Sequence, residues 1–182
     1  MSTAVVILAE GFEEIEAVTL IDVLRRAGVE VTVAGLSGDR AKGAHGIDIV
    51  TDVLLENLSF KPDIVVLPGG MPGSENLGKD PGVVTLLEKQ HLAGRKIAAI
   101  CAAPAFAPVK AGVLDGKRAT CYPSFESRFD ESTQAVASRV VVDGNIITSQ
   151  GPGTALELAL ELATQLSGKA KADELRAAML VK

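Results

Sequence analysis

The sequence predicts an α/β sandwich: a mainly parallel central sheet, helices on both faces and a small β-hairpin. Three observations carry this reading. Short, almost wholly apolar runs recur along the chain, as strands covered on both faces require. Amphipathic helical stretches lie between them. Several of those stretches close on glycine, the residue that enters a left-handed cap most easily. Such alternation places helices on both sides of a parallel sheet.

The elements follow in order. Ala4–Ala9, Glu30–Ala34, Ile64–Leu67 and Lys96–Ile100 are apolar and rich in Val and Ile, as core strands are. A helix from Phe12 to Ala27 separates the first two. Gly28, Gly94, Gly112 and Gly168 mark helix ends. Arg118–Cys121 reads as a short strand. Val140–Val142 and Ile146–Ser149 flank Asp143-Gly144, a hairpin signal. Thr154 is placed to cap a helix running to Ser167, and a last helix covers Lys171–Met179. Ligands of such sheets sit at the carboxyl ends of the strands. The residues after Ala9, Leu67, Ile100 and Ser149 are therefore the ones to inspect.

Composition narrows the function. The 182 residues are read as a single domain, 1–182, long enough for a full core without metal or disulfide staples. The 18 basic residues against 23 acidic ones give a net charge of −5 and no basic block. Nucleic-acid and anionic-membrane partners are thereby disfavoured. The longest apolar run, Ile97–Val109, contains Pro104 and Pro108 and falls short of the roughly 18 residues of a membrane span. The first residues lack a basic segment and lead into Glu10, Glu13 and Glu14, so a cytoplasmic protein is expected. Cys101 and Cys121 are then expected as free thiols. No CxxC or Cys/His cluster exists, so no metal and no cofactor is expected.

Cys101 is the leading candidate for chemistry. It follows the strand Lys96–Ile100 and precedes a run of small residues expected to be helical. A sharp strand-to-helix turn would expose the sulfur as a nucleophile elbow does. A helix N-terminus would lower its pKa from about 8.5. Ala102 leaves room beside it. The plain alternative is a small buried hydrophobe.

Glu16 is singled out by helical phase. At about 100° per residue, Phe12, Ala17, Leu20, Ile21, Val23, Leu24 and Ala27 fill one half-circle. Glu14, Asp22, Arg25 and Arg26 lie on the other. Glu16 falls among the apolar residues, where a carboxyl must be paired, hydrogen-bonded or protonated. Glu13 shares that arc but sits in the first turn, within reach of backbone amides. The helix starts at the same sheet end as Cys101, so a protonated Glu16 donating to the sulfur is expected. A slightly different helical phase would leave it a surface residue instead. Ile15 and Val18 remain on the charged side, which reads either as the interface patch of a homodimer or as a scattered exposed pair.

The loop Leu67–Gly73 carries Gly69 and Gly70, whose free amides suit an oxyanion hole, the plain alternative being an ordinary tight loop. It matches neither a dinucleotide fingerprint nor a P-loop. Gly151, in Gln150–Thr154, is placed to line the site, or merely to shape a helix start. Tyr122 is a candidate hydroxyl near it. Cys121 has no visible activator. His45 and His91, the only histidines, read as surface residues.

Four segments together carry a resemblance: residues 9–16, 67–73, 98–104 and 148–154, in that order. The chain resembles the ThiJ/PfpI superfamily, in the branch of the parkinsonism-associated deglycase and its bacterial YajL-type relatives. The resemblance implies a flavodoxin-like fold, a homodimer, a reactive Cys101 and a protonated Glu16 touching it. It implies Gly70 and Met71 as oxyanion-hole amides. It also implies protection from carbonyl and oxidative stress, through glyoxalase III or deglycase activity on methylglyoxal and its protein or nucleotide adducts. Chaperone action and redox sensing through a Cys101 sulfinate form the alternative. Protease-like members place histidine directly after the nucleophile, where Ala102 stands here. Animal members place a histidine near the site where Tyr122 stands. Peptidase or amidotransferase-like hydrolysis is therefore not expected; glyoxalase or deglycase turnover is expected either to be slow, tyrosine being a poorer base than imidazole, or to rely on Glu16, with or without Tyr122, as the proton carrier.

Overall fold

Alternation within the strands decides the layering. The computed structural model describes residues 1–181. Its elements are β1 (Thr3–Leu8), α1 (Glu14–Arg26), β2 (Glu30–Gly35), β3 (Arg40–Lys42), β4 (Asp48–Val50), β5 (Val53–Leu54) and β6 (Ile64–Leu67). There follow α2 (Gly73–Lys79), α3 (Pro81–Leu92), β7 (Lys96–Ile100), α4 (Ala107–Lys110), β8 (Arg118–Ala119) and β9 (Gln134–Ala135). The hairpin strands β10 (Val140–Asp143) and β11 (Ile146–Ser149) lead to α5 (Ala155–Ser167) and α6 (Lys169–Ala178). One sheet has the order β10-β11-β7-β6-β1-β2-β5. All its neighbours are parallel except the β10–β11 hairpin. In β1, Ala4, Val6 and Leu8 face the layer of α1, α5 and α6, while Val5 and Ile7 face that of α2, α3 and α4. The mainly parallel α/β sandwich and its hairpin are as expected.

The glycine stops also hold. Gly28, Gly94, Gly112 and Gly168 all have positive φ. Three expectations are corrected. The segment after Cys101 is not a helix of useful length. It is a 3₁₀ turn at Ala103–Ala105 followed by the four-residue α4, because Pro104 and Pro108 donate no amide to a longer ladder. Thr154 precedes α5 without capping it; its hydroxyl turns back to Ser149 Oγ at 2.6 Å and to Gly151. Arg118–Cys121 supplies only the two residues of β8, which pair with β9 apart from the main sheet. The β3–β4 hairpin and the edge strand β5 carry no clear sequence signal, being only two or three residues long.

This topology positions the site. The chain leaves β1 for β2 on one side and returns to β6 on the other, so β1 and β6 flank a switch point. The loops after β1, β6 and β7 open beside one another there, as ligand-binding loops of such sheets do.

Candidate functional site around Cys101 and Glu16

Cys101 directly follows β7 with φ of 62°, a left-handed conformation that is uncommon for a side-chain-bearing residue. Two backbone bonds hold it there: its N–H donates to Ser149 O at 3.0 Å, and its carbonyl accepts from Tyr122 N–H at 2.8 Å. The residue is 9% exposed, just reachable from solvent. Strain of this kind concentrates at functional positions.

Glu16 comes from the first turn of α1 and has no exposed surface at all. Its Oε2 accepts the Gly69 N–H at 2.7 Å. Its Oε1 is buried without a hydrogen-bond partner of good geometry. The Cys101 thiol is close enough that the two groups shift each other's proton affinity. Burial pushes Glu16 up to about 7, against the opposing pull of the Gly69 amide and the thiol, with the charge of Glu13 adding to the rise. A proton on Oε1 would give that orphaned oxygen something to donate.

The sulfur's environment corrects an expectation. Burial pushes the Cys101 thiol up to about 12, and the charge of Glu16 adds to this. The amides of Gly70 and Ala102 pull the other way without prevailing. The anticipated helix N-terminus is absent, and a carboxyl stands where a cation would be needed. The two groups therefore titrate as a pair. The thiol ionises most readily when Glu16 is neutral, since the charge repulsion then vanishes.

Gly69 is what lets the pair meet. A Cβ there would lie 2.5 Å from Cys101 Cβ, 2.8 Å from Glu16 Oε2 and 2.9 Å from Ile100 O. Its carbonyl also accepts the Glu13 N–H at 2.9 Å. Gly70, with φ of 91°, packs its Cα against the Phe12–Glu13 backbone. Its amide and that of Ala102 favour the ionised form of the sulfur. Met71, the residue after Gly70, is 43% exposed. Tyr122 is half-exposed; Gly151 leaves space for its ring, which a Cβ would approach to 3.3 Å. Cys121 is buried, and burial likewise pushes its thiol up to about 12.

Neither histidine touches the thiol. His91 lies in the last turn of α3 near Asn145, at the opposite end of the sheet. His45 is exposed, as expected, yet it is engaged. Its Nδ1 lies 2.9 Å from Glu14 Oε2 and 3.6 Å from Glu13 Oε2. Glu14 corrects the helical wheel: it is 5% exposed rather than on a solvated face. Burial raises its pKa, but the His45 ring and the amides of His45 and Ile47 outweigh this and lower it. Gly43, where a Cβ would strike the Glu14 carboxylate, is the one sequence feature that could signal this contact. Among the described residues, Glu13, Glu14 and His45 form a group of three metal-capable donors within 4.8 Å. Their ion pair and amide bonds already account for it. No helix among the described residues is long and apolar enough to cross a membrane.

Comparisons with known proteins find relatives along the whole chain. The model of the DJ-1/PfpI family matches residues 2–165. Protein dj-1beta of Drosophila melanogaster is 48% identical over 182 residues, covering 98% of this chain and 97% of the fly protein. Its crystal structure superposes with a TM-score of 0.96 over 100% of both chains. Glutathione-independent glyoxalase DJR-1.2 of Caenorhabditis elegans is 37% identical, covering 96% of this chain and 93% of the worm protein. Oxidised DJ-1 of Toxoplasma gondii is 36% identical with a TM-score of 0.95, over 99% of this chain and 98% of that one. The chain spans only 40% and 47% of the length of two Arabidopsis thaliana relatives, DJ-1 homologs B and A.

Proposed function

The chain belongs to the DJ-1/PfpI family, and from that premise we propose that it is a cysteine-dependent carbonyl-stress protein acting on methylglyoxal or its adducts. The observation that carries this is the fully buried Glu16, with an orphaned Oε1, beside a strained and reachable Cys101. A glyoxalase at 37% identity supports the reaction class. The Cys101 sulfur adds to the aldehyde carbon, giving a hemithioacetal. The loop amides of Gly70 and Met71 steady the oxygen that takes up charge. Ionised Glu16 accepts the proton from the carbon bearing sulfur and returns it to the neighbouring carbon, while the hydroxyl proton of the hemithioacetal passes to the ketone oxygen. The lactoyl thioester so formed is hydrolysed by water, releasing lactate and the free thiol. Hydrolytic release of the same adduct from a protein or nucleotide would be deglycation.

The test is lactate formation from methylglyoxal without glutathione, comparing the wild type with Cys101→Ser. A loss of at least about a thousandfold is expected, since removal of a covalent nucleophile forfeits its whole pathway. Equal rates would overturn the assignment.

A second reading rests on a specific feature: no histidine stands near the thiol, and the oxidised Toxoplasma relative shares the fold. Two equivalents of peroxide would take Cys101 to the sulfinate, with protonated Glu16 donating to a new oxygen. Wild type without turnover, gaining two oxygens at Cys101 under peroxide, would favour it. Both cysteines are free thiols, which suits a reducing compartment such as the cytoplasm.

We also propose that two copies pair through α1. Ile15 and Val18 are 59% and 50% exposed on its outer face. Ile15→Lys with Val18→Lys should halve the sedimenting mass without lowering helical content. A wild type that sediments as a monomer would refute the pairing.

A further inference from the structure

Apart from the Cys101 site, a cleft of about 390 Å³ opens between α2, α4 and the turn at 126–128. Its size lies in the range of small-molecule sites. Glu75, Lys79, Phe106, Val109, Lys110 and Arg128 line it. The charge is unbalanced. Lys79 pairs with Glu75 at 2.8 Å, which uses the one carboxylate of the lining. Lys110 and Arg128 have no carboxylate within 4.0 Å among the described residues. The apolar part of the wall is the buried Phe106 with Ala105 and Val109. Two unpaired cations beside an aromatic wall complement an anionic head carried on an apolar body.

The same wall leads to the thiol. The Arg128 guanidinium lies 4.2 Å over the Phe106 ring, and its Nε donates to Ala105 O at 3.4 Å. Phe106 meets Phe125 at 5.9 Å between centroids, and Phe125 meets Tyr122 at 6.4 Å. Tyr122 in turn donates its N–H to Cys101 O. An anion that engages Arg128 competes with its hold on Phe106, at the far end of this row of rings.

We propose that the cleft is a second ligand site, taking a small organic anion with a compact apolar body, and that its occupancy is felt at Tyr122 beside Cys101. This stands whether or not Cys101 turns over methylglyoxal. The chain holds one tyrosine and no tryptophan, so its intrinsic emission reports on Tyr122 alone.

Cyclohexanecarboxylate and cyclohexyl phosphate, transparent where tyrosine is excited, are titrated by calorimetry and by emission. Cyclohexanemethanol is the neutral control. Both anions should bind saturably, and the emission should change along the same curve. Arg128→Gln and, separately, Lys110→Gln should weaken binding on the order of tenfold, as loss of a charged hydrogen bond does. Whichever anion binds more tightly identifies the head group. The site is overturned if neither anion gives a saturable heat, if the alcohol binds as well, or if both folded variants bind as the wild type does. Saturable binding with unchanged Tyr122 emission overturns the communication.

Discussion

Glu16→Gln is expected to remove most of the loss of stability that the protein suffers between pH 5 and pH 8. Glu16 carries a proton up to about 7 in the folded chain, against 4.5 for its ordinary value. Folded protein thus holds a proton that the unfolded chain has released, and stability falls as pH rises through that window. The loss is complete about one unit above the folded-state value of about 7. At 1.36 kcal/mol per unit, the span corresponds to about 3 kcal/mol. His45 is raised by its bond to Glu14, so its contribution is also lost as pH rises. Glu14 is lowered, and its contribution is lost only in acid, below this window. The difference between wild type and variant therefore isolates Glu16. Urea unfolding at several pH values measures it, and parallel curves would show that Glu16 is ionised in the fold.

The same variant separates packing from chemistry. Glutamine is close to isosteric and its carbonyl can accept the Gly69 N–H that Glu16 now accepts. It cannot carry a proton. Lactate formation should fall by about a hundredfold to ten-thousandfold, the usual share of general acid–base catalysis. Alkylation of Cys101 by iodoacetamide should survive. An unchanged turnover would mean that another group moves the proton.

Gly69→Ala is expected to disrupt the site through a single added methyl group. Its Cβ would lie 2.9 Å from the backbone oxygen of Ile100 and 2.5 Å from Cys101 Cβ, neither of which can swing aside. Either β6 and β7 separate at their carboxyl ends or Cys101 leaves its left-handed conformation. Overpacking of this kind costs about 1–3 kcal/mol or more. A lowered melting temperature together with a loss of Cys101-dependent turnover is expected. Gly153, around which a Cβ would meet nothing within 4 Å, is the control: Gly153→Ala should change neither. Equal behaviour of the two variants would mean that the Gly69 contact does not shape the site.

Much of this was legible one residue at a time. The parallel strands announced themselves because a strand buried on both faces has no polar alternation. Ala4, Val5, Val6, Ile7 and Leu8 form such an unbroken apolar run, and all five are fully buried. Glu16 could be found because helical phase is a local property, and a carboxyl inside an apolar arc is conspicuous. The same wheel misplaced Glu14. Its burial comes from the β3–β4 hairpin folding over the start of α1, a contact thirty-one residues away in sequence that no periodicity encodes. The helix expected after Cys101 failed for a local reason, Pro104 and Pro108, which weighed more than the small-residue composition around them.

The sequence by itself determined the fold class, the core strands, and which thiol and carboxyl to watch, because burial pattern, glycine stops and helical phase are written in neighbouring residues. The tertiary structure alone decided the proton affinities. Glu16 is raised and Cys101 is not lowered because β1, β6 and β7 end side by side, bringing two acids into one dry space bounded by Gly69. Desolvation and charge repulsion depend on distance in space, which only the assembled sheet sets.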